Sequence, residues 1–127
     1  MERRFVIEIP GELPGRNEAE AAARGNKFCG AALKHKHTNR VAMAALRCRD
    51  TAWVPMRRFH VRVMWRCRNK RKDPDNITAG IKYLLDGLVS GAIVTGDRWA
   101  NVLSISHTWT VDKEAPGVVV ELVEVTD

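Results

Sequence analysis

The sequence predicts a single domain of α/β (α+β) class, and three observations predict it. Its 127 residues suit one domain near the common size, long enough to bury a core without staples. Residues 59–68 and 103–111 alternate side-chain character with the period of a strand, whereas 74–88 repeats its apolar residues with the period of a helix. Neither a repeat nor a low-complexity tract appears, and Gly and Pro divide the chain into short elements.

Phe5, Ile7 and Ile9 alternate with their neighbours, so residues 4–9 read as a strand stopped by Pro10, followed by the turn-rich loop PGELPGRN. EAEAAAR is rich in helix formers and predicts a short helix closing near Gly25. Thr38 is the expected N-cap of a longer basic helix reaching about residue 49, with Val41, Ala45 and Cys48 on one side. In FHVRVMWRCR, Phe59, Val61, Val63, Trp65 and Cys67 face one way and His60, Arg62, Arg66 and Arg68 the other, a half-buried strand with a cationic face. Asp73 before Pro74 reads as an N-cap followed by a proline at the first helical position. The helix that follows carries Ile77, Ile81, Leu84, Leu85 and Leu88 on an apolar stripe, with Asp75, Lys82 and Asp86 on the opposite face. Beyond a GDRW turn, Leu103, Ile105, His107, Trp109 and Val111 alternate with Ser and Thr in a further strand, and residues 117–125 make the last one. His107 lies on the apolar face and reads as a satisfied core histidine.

Composition narrows the functional classes. The chain is 45% hydrophobic and 28% charged, with no run of 18 apolar residues and no signal-like N-terminus, so the expectation is a cytoplasmic protein without a membrane partner. Cys29, Cys48 and Cys67 lack the CxxC spacing of a zinc site or redox dithiol and are expected to be reduced and mostly buried. Net charge is +6 and unevenly placed: residues 1–72 hold 18 of the 21 Lys and Arg against 6 acids, and residues 73–127 hold 3 against 9. That asymmetry points to a polyanion, although charge alone does not choose between DNA, RNA and an anionic membrane. The KHKH at 34–37 is assigned to the same basic surface.

The sign changes inside RNKRKDPDN, residues 68–76. Ionised aspartates are the usual protein ligands of Mg²⁺, so Asp73 and Asp75, two residues apart at a strand-to-helix corner, are expected to converge on one ion, with Asp97 as the third carboxylate. Asp86 is a poor ligand because 11 residues of helical rise set it about 16 Å from Asp75, and it is expected to pair with Lys82 at i, i+4. A calcium loop is excluded, since Ile77, Thr78 and Leu84 occupy positions where it needs Asp or Asn, Gly and Glu. The competing account, in which Asp73 only caps the helix and Asp75 complements its dipole, leaves the adjoining cations and Asp97 without a role.

KRKDPDN entering a helix, IKYLLDGLVSGAI after it, the Asp of GDRW, the closing GVVVELVEV and the opening IPGELPGRN with NKFCGAALKHKHT together resemble the RusA family of Holliday junction resolvases, particularly its phage-type members. The resemblance spans nearly the whole chain. It implies a small mixed sheet packed against helices, in a homodimeric endonuclease that binds branched DNA, the four-way junction. Such an enzyme cuts two opposing strands during recombination and repair with Mg²⁺, Mn²⁺ being the alternative ion. It also implies that Asp73, Asp75 and Asp97 form the acidic cluster. Two positions depart from the family pattern: Ala79 stands where relatives carry a lysine four residues after the second Asp, and Gly96 stands where many have another acid. Lys82, seven residues after Asp75, is the expected substitute, stabilising developing negative charge. Lys27, Lys34, Lys36, Arg66, Arg68, Lys70, Arg71 and Lys72 are expected to hold phosphates. The alternatives are a non-catalytic basic DNA-binding module and a metal nuclease for other nucleic acids.

Overall fold

Four segments with alternating burial assemble one sheet: β1 (Arg4–Pro10), β2 (Phe59–Cys67), β3 (Val102–Val111) and β4 (Gly117–Glu124). The computed structural model describes residues 2–126, so Met1 and Asp127, the ends of the expected 1–127 domain, lie outside the described residues. Strand order is β1-β4-β2-β3. The last strand therefore enters the middle of the sheet, antiparallel to both neighbours, with Val120 opposite Ile7 on one side and Val63 on the other. β3 runs parallel to β2, with Ile105 beside Val61 and Val111 beside Cys67. A parallel pair needs a crossover, which the helical segment between residues 74 and 90 provides.

One face of the sheet builds the core. Ile7, Ile9, Val61, Val63, Val118, Val120 and Leu122 are buried there and pack with Val41, Ala45, Leu84 and Leu88 from the helices. The other face is laced with charge. Glu121 accepts from Arg4 and Arg62 at 3.1 Å each, and Arg66 pairs with Glu8. The cationic face expected of β2 is thus neutralised, because the neighbouring strands set glutamates beside its arginines.

Four helices cover the core face: α1 (Arg16–Gly25), α2 (Lys27–Cys48), α3 (Pro74–Thr78) and α4 (Ile81–Ser90). α2 is capped twelve residues before the expected Thr38, at Asn26, whose side chain accepts from the Cys29 N–H at 2.9 Å. Thr38 lies inside the helix, its hydroxyl buried without a hydrogen-bond partner. Gly30 permits the longer helix to approach α1, where an added Cβ would stand 3.2 Å from the Ala23 Cα. Cys29 and Cys48 are exposed and only Cys67 is buried, against the expectation of mostly buried thiols. His37, assigned to the basic surface, is buried, and its Nδ1 meets Arg40 at 2.8 Å. Burial, then the Arg40 and Lys36 charges, hold the imidazole below its ordinary pKa.

The expected continuous helix after Asp73 is jointed. Between α3 and α4 the chain stays right-handed but tightens to i→i−3 bonds, Gly80 N–H to the Ile77 carbonyl and Tyr83 N–H to that of Gly80, both 3.1 Å. A Cβ on Gly80 would lie 3.1 Å from the Trp65 ring, so the joint lets the backbone pass the indole. Its apolar stripe survives the joint, with Leu84 and Leu88 fully buried and Ile77, Ile81 and Leu85 packed against the core. Among the described residues no helix is long and apolar enough to cross a membrane.

Candidate functional site

β2 ends at Cys67, whose carbonyl is held by the Asp112 N–H at 2.8 Å, and the basic loop leads from there to α3. The corner is fastened from below by the start of the chain. Asn76, the last residue of DPDN, is buried, and its Oδ1 accepts from the Asn17 N–H at 3.1 Å. Gly15 is required beside it, since a Cβ there would come within 2.5 Å of that oxygen. Glu18 accepts from the Gly15 N–H at 3.3 Å and pairs with Lys72, while Glu12 binds the Arg68 guanidinium at 3.2 Å and its N–H at 3.1 Å. Burial would raise the Glu18 carboxyl, but the Lys72 and Gly15 hydrogen bonds with the Lys72 and Arg68 charges outweigh it and hold the pKa low. The PGELPGRNE segment is therefore the platform on which the acidic corner stands. Arg40 braces it in turn, donating to the Pro10, Glu12 and Gly11 carbonyls at 2.6, 3.2 and 3.3 Å.

On this platform the two aspartates differ. Asp73 caps α3 through its backbone, its carbonyl accepting from Asn76 and Ile77 at 3.0 and 3.1 Å, while its side chain makes no cap hydrogen bond. Asp75 meets Arg16 at 3.4 Å in an exposed pair of the weak kind. Both carboxylates are exposed. As hard oxygen donors they suit Mg²⁺, which is commonly held by one or two carboxylates with substrate phosphate oxygens and water.

Asp97 and Lys82 are elsewhere. Asp97 lines an open cleft of about 470 Å³ with Lys34, His35 and Asp86. Among the described residues no three His, Cys, Asp or Glu side chains gather closely enough to hold a metal, so the expected meeting of Asp73, Asp75 and Asp97 does not occur within one chain. Strand direction explains it: Asp73 follows the C-terminal end of β2, Asp97 precedes the N-terminal end of the parallel β3, and these ends are opposite ends of the sheet. Lys82 turns toward Asp86, 3.2 Å away, as the i, i+4 spacing predicts, and not toward Asp75. Lys34 adds a second cation to Asp86 at 3.7 Å.

The other basic candidates divide similarly. Arg66, Arg68 and Lys72 hold Glu8, Glu12 and Glu18, and Lys27 stands over the Phe28 ring, 5.3 Å from its centroid. Lys36, Lys70 and Arg71 are exposed, and their side chains make no hydrogen bond or ion pair among the described residues, although the Arg71 N–H donates to the Asn69 Oδ1 at 3.0 Å. Beside them, a cavity of about 360 Å³ is lined by Arg68, Asn69, Arg71 and Lys72, and a second of about 270 Å³ by Asp73, Pro74, Ile77, Trp109 and Val111. His107 accepts from the Trp65 indole N–H at 2.9 Å and stacks between Trp65 and Trp109, and burial lowers its pKa. It is the satisfied histidine that its position on the apolar face implies.

Sequence reasoning did not single out Glu12, Glu18 and Arg16, which hold the corner, nor Trp99, which is 98% exposed. The capping-box spacing from Gly15 to Glu18 and an aromatic in the polar GDRWAN turn were the available signals. No protein-family model matches this chain, and no curated protein gives a significant match to it.

Proposed function

We propose that the chain is a metal-dependent endonuclease for branched DNA, a junction resolvase of the kind it resembles, working as a homodimer in recombination and repair. The observation that carries this reading is the Asp73–Asp75 corner: two exposed carboxylates, one wholly unused by the fold, directly after a loop with two unpaired cations. A cap that served only the helix would use the Asp73 side chain, and here the backbone does that work. Lys70 and Arg71 draw the phosphodiester backbone toward the corner, and Lys36 extends the basic surface. Asp73 and Asp75 would hold Mg²⁺, with Mn²⁺ as alternative. The bound ion supplies an acidified water and neutralises charge on the phosphoryl oxygens. Arg16, which Glu20 also meets at 4.0 Å, would then exchange Asp75 for a phosphate. Lys82, tied to Asp86, enters this scheme as a neighbouring phosphate ligand and not as a group at the cut.

The test is cleavage of a labelled four-way junction beside linear duplex, with Mg²⁺ and with EDTA. Paired symmetric nicks near the crossover that vanish with EDTA are expected. Asp73→Asn should keep junction binding while losing cleavage by about a hundredfold or more, the scale expected when catalytic charge stabilisation is removed. Unchanged function in Asp73→Asn would establish the basic DNA-binding module instead, and cutting of linear DNA or RNA alone would reassign the substrate.

A further inference from the structure

Arg40 is held by neutral groups. Its guanidinium donates to three consecutive carbonyls, those of Pro10, Gly11 and Glu12, and to the Nδ1 of His37 at 2.8 Å. The three carbonyls converge on one cation because the backbone turns at Gly11, whose φ of 84° lies in the left-handed region. An added Cβ there would also stand 3.1 Å from the guanidinium, so glycine serves both the turn and the grip. A guanidinium has no lone pair to offer, and the contact with His37 therefore requires a neutral imidazole that accepts on Nδ1 and carries its proton on Nε2.

That acceptor is conditional. A carbonyl accepts from Arg40 at any pH, whereas an imidazole that takes a second proton can only donate, and it becomes a second cation pressed against the first. The surroundings of His37 do not offset this change. Lys36 and Arg40 on α2 oppose an imidazolium, and the Tyr83 ring of α4, 5.7 Å away, brings no charge. Glu18 of α1 favours it but is already engaged by Lys72. The segment that Arg40 grips is the one that carries the acidic corner: Glu12 binds Arg68, Arg16 meets Asp75, and the Asn17 N–H donates to Asn76.

We propose that Arg40 and His37 are positioning residues for the Asp73–Asp75 corner, and that Arg40 holds residues 10–17 in place only while His37 is neutral. Protonation of His37 opens the grip, loosens the platform and slows the chemistry without altering either aspartate. Because the folded imidazole is held below its ordinary value of 6.5, the latch is closed at neutral pH and opens as pH falls through that lowered value. The latch stands on the geometry alone, whereas its effect on cleavage rests on the nuclease reading above.

Amide hydrogen exchange of the full chain, followed in peptides covering residues 10–17 and corrected for the intrinsic effect of pH, reads the latch between about pH 5 and 8. Wild-type protection should fall about 10-fold for each pH unit below the His37 pKa. His37→Gln, whose side-chain oxygen accepts from Arg40 and does not titrate, should keep its protection across the range. Arg40→Lys, with one ammonium for three carbonyls, should be poorly protected throughout. Junction cleavage by wild type and His37→Gln is then compared at each pH, which cancels the titration of metal-bound water common to both. The two rates should agree near about pH 8, and wild type should be slower by about 10-fold near about pH 5. A His37 ring signal in the NMR spectrum of the wild type that titrates at or above its ordinary value overturns the proposal. So does protection indifferent to pH in the wild type, or the same pH dependence in His37→Gln. Protection lost on acidification in the wild type alone, from a chain that cuts no nucleic acid, overturns the nuclease reading and leaves the latch standing. A working latch with a cleavage ratio that stays constant with pH overturns the positioning role.

Discussion

Single residues in this chain divide their backbone and side-chain duties. Asp73 gives its carbonyl to α3 and keeps its carboxylate, whereas Asn76, one turn on, is buried to hold the Asn17 N–H. Away from the site, Arg3 donates twice to Glu124, at 2.8 and 2.6 Å, while lying 4.4 Å over the Trp53 ring. The Arg3 hydrogen bond holds the Glu124 carboxyl below its ordinary pKa, and its charge reinforces this against the opposing effect of burial. A carboxylate with a lowered folded pKa stabilises the fold above its unfolded value and loses that contribution as pH falls through the folded one. The thermal midpoint should therefore fall on acidification below about pH 4.3, and Glu124→Gln should flatten that part of the profile in a pH series of melting curves.

Elements are set by close approaches as much as by periodicity. α2 and α4 cross at Gly87, where an added Cβ would fall 2.4 Å from the Val41 Cβ and 2.9 Å from the Thr38 carbonyl oxygen. Gly87→Ala improves intrinsic helix propensity, yet overpacking a fixed contact of this kind costs about 1–3 kcal/mol, so denaturant unfolding should show net destabilisation. The pairing of a glycine with a helix that tolerates it explains why LDGL keeps Gly in mid-helix. The joint at Gly80 has the same cause, an indole in the path of the backbone. β3 shows the converse: its alternation is that of a half-buried strand, but no helix of its own chain reaches far enough to bury it.

Across the whole molecule, acids of the N-terminal half silence much of the basic charge. Glu8, Glu12 and Glu18 hold Arg66, Arg68 and Lys72, which leaves Lys70 and Arg71 as the open cations beside the corner. In a salt titration of junction binding, Lys70→Ala and Arg71→Ala should each lower the slope of log affinity against log salt by about 1. Arg66→Ala should change it little, because its charge is already met.

What the sequence by itself determined was what is local. Period-two alternation placed all four strands within a residue or two, Asp73–Pro74 located the start of α3, and the i, i+4 spacing foretold the Lys82–Asp86 pair. Tertiary structure alone decided the rest: the insertion of β4 between β1 and β2, the start of α2 at Lys27, the joint at Gly80 and the glutamates opposite the strand arginines. It also decided that Asp97 stands apart from Asp73 and Asp75 in one chain. Local periodicity reports which face of an element is apolar, because neighbours along the chain share one backbone geometry. Which elements lie side by side, and in which direction, depends on contacts between residues far apart in sequence, and those distances are what brings carboxylates together or keeps them apart.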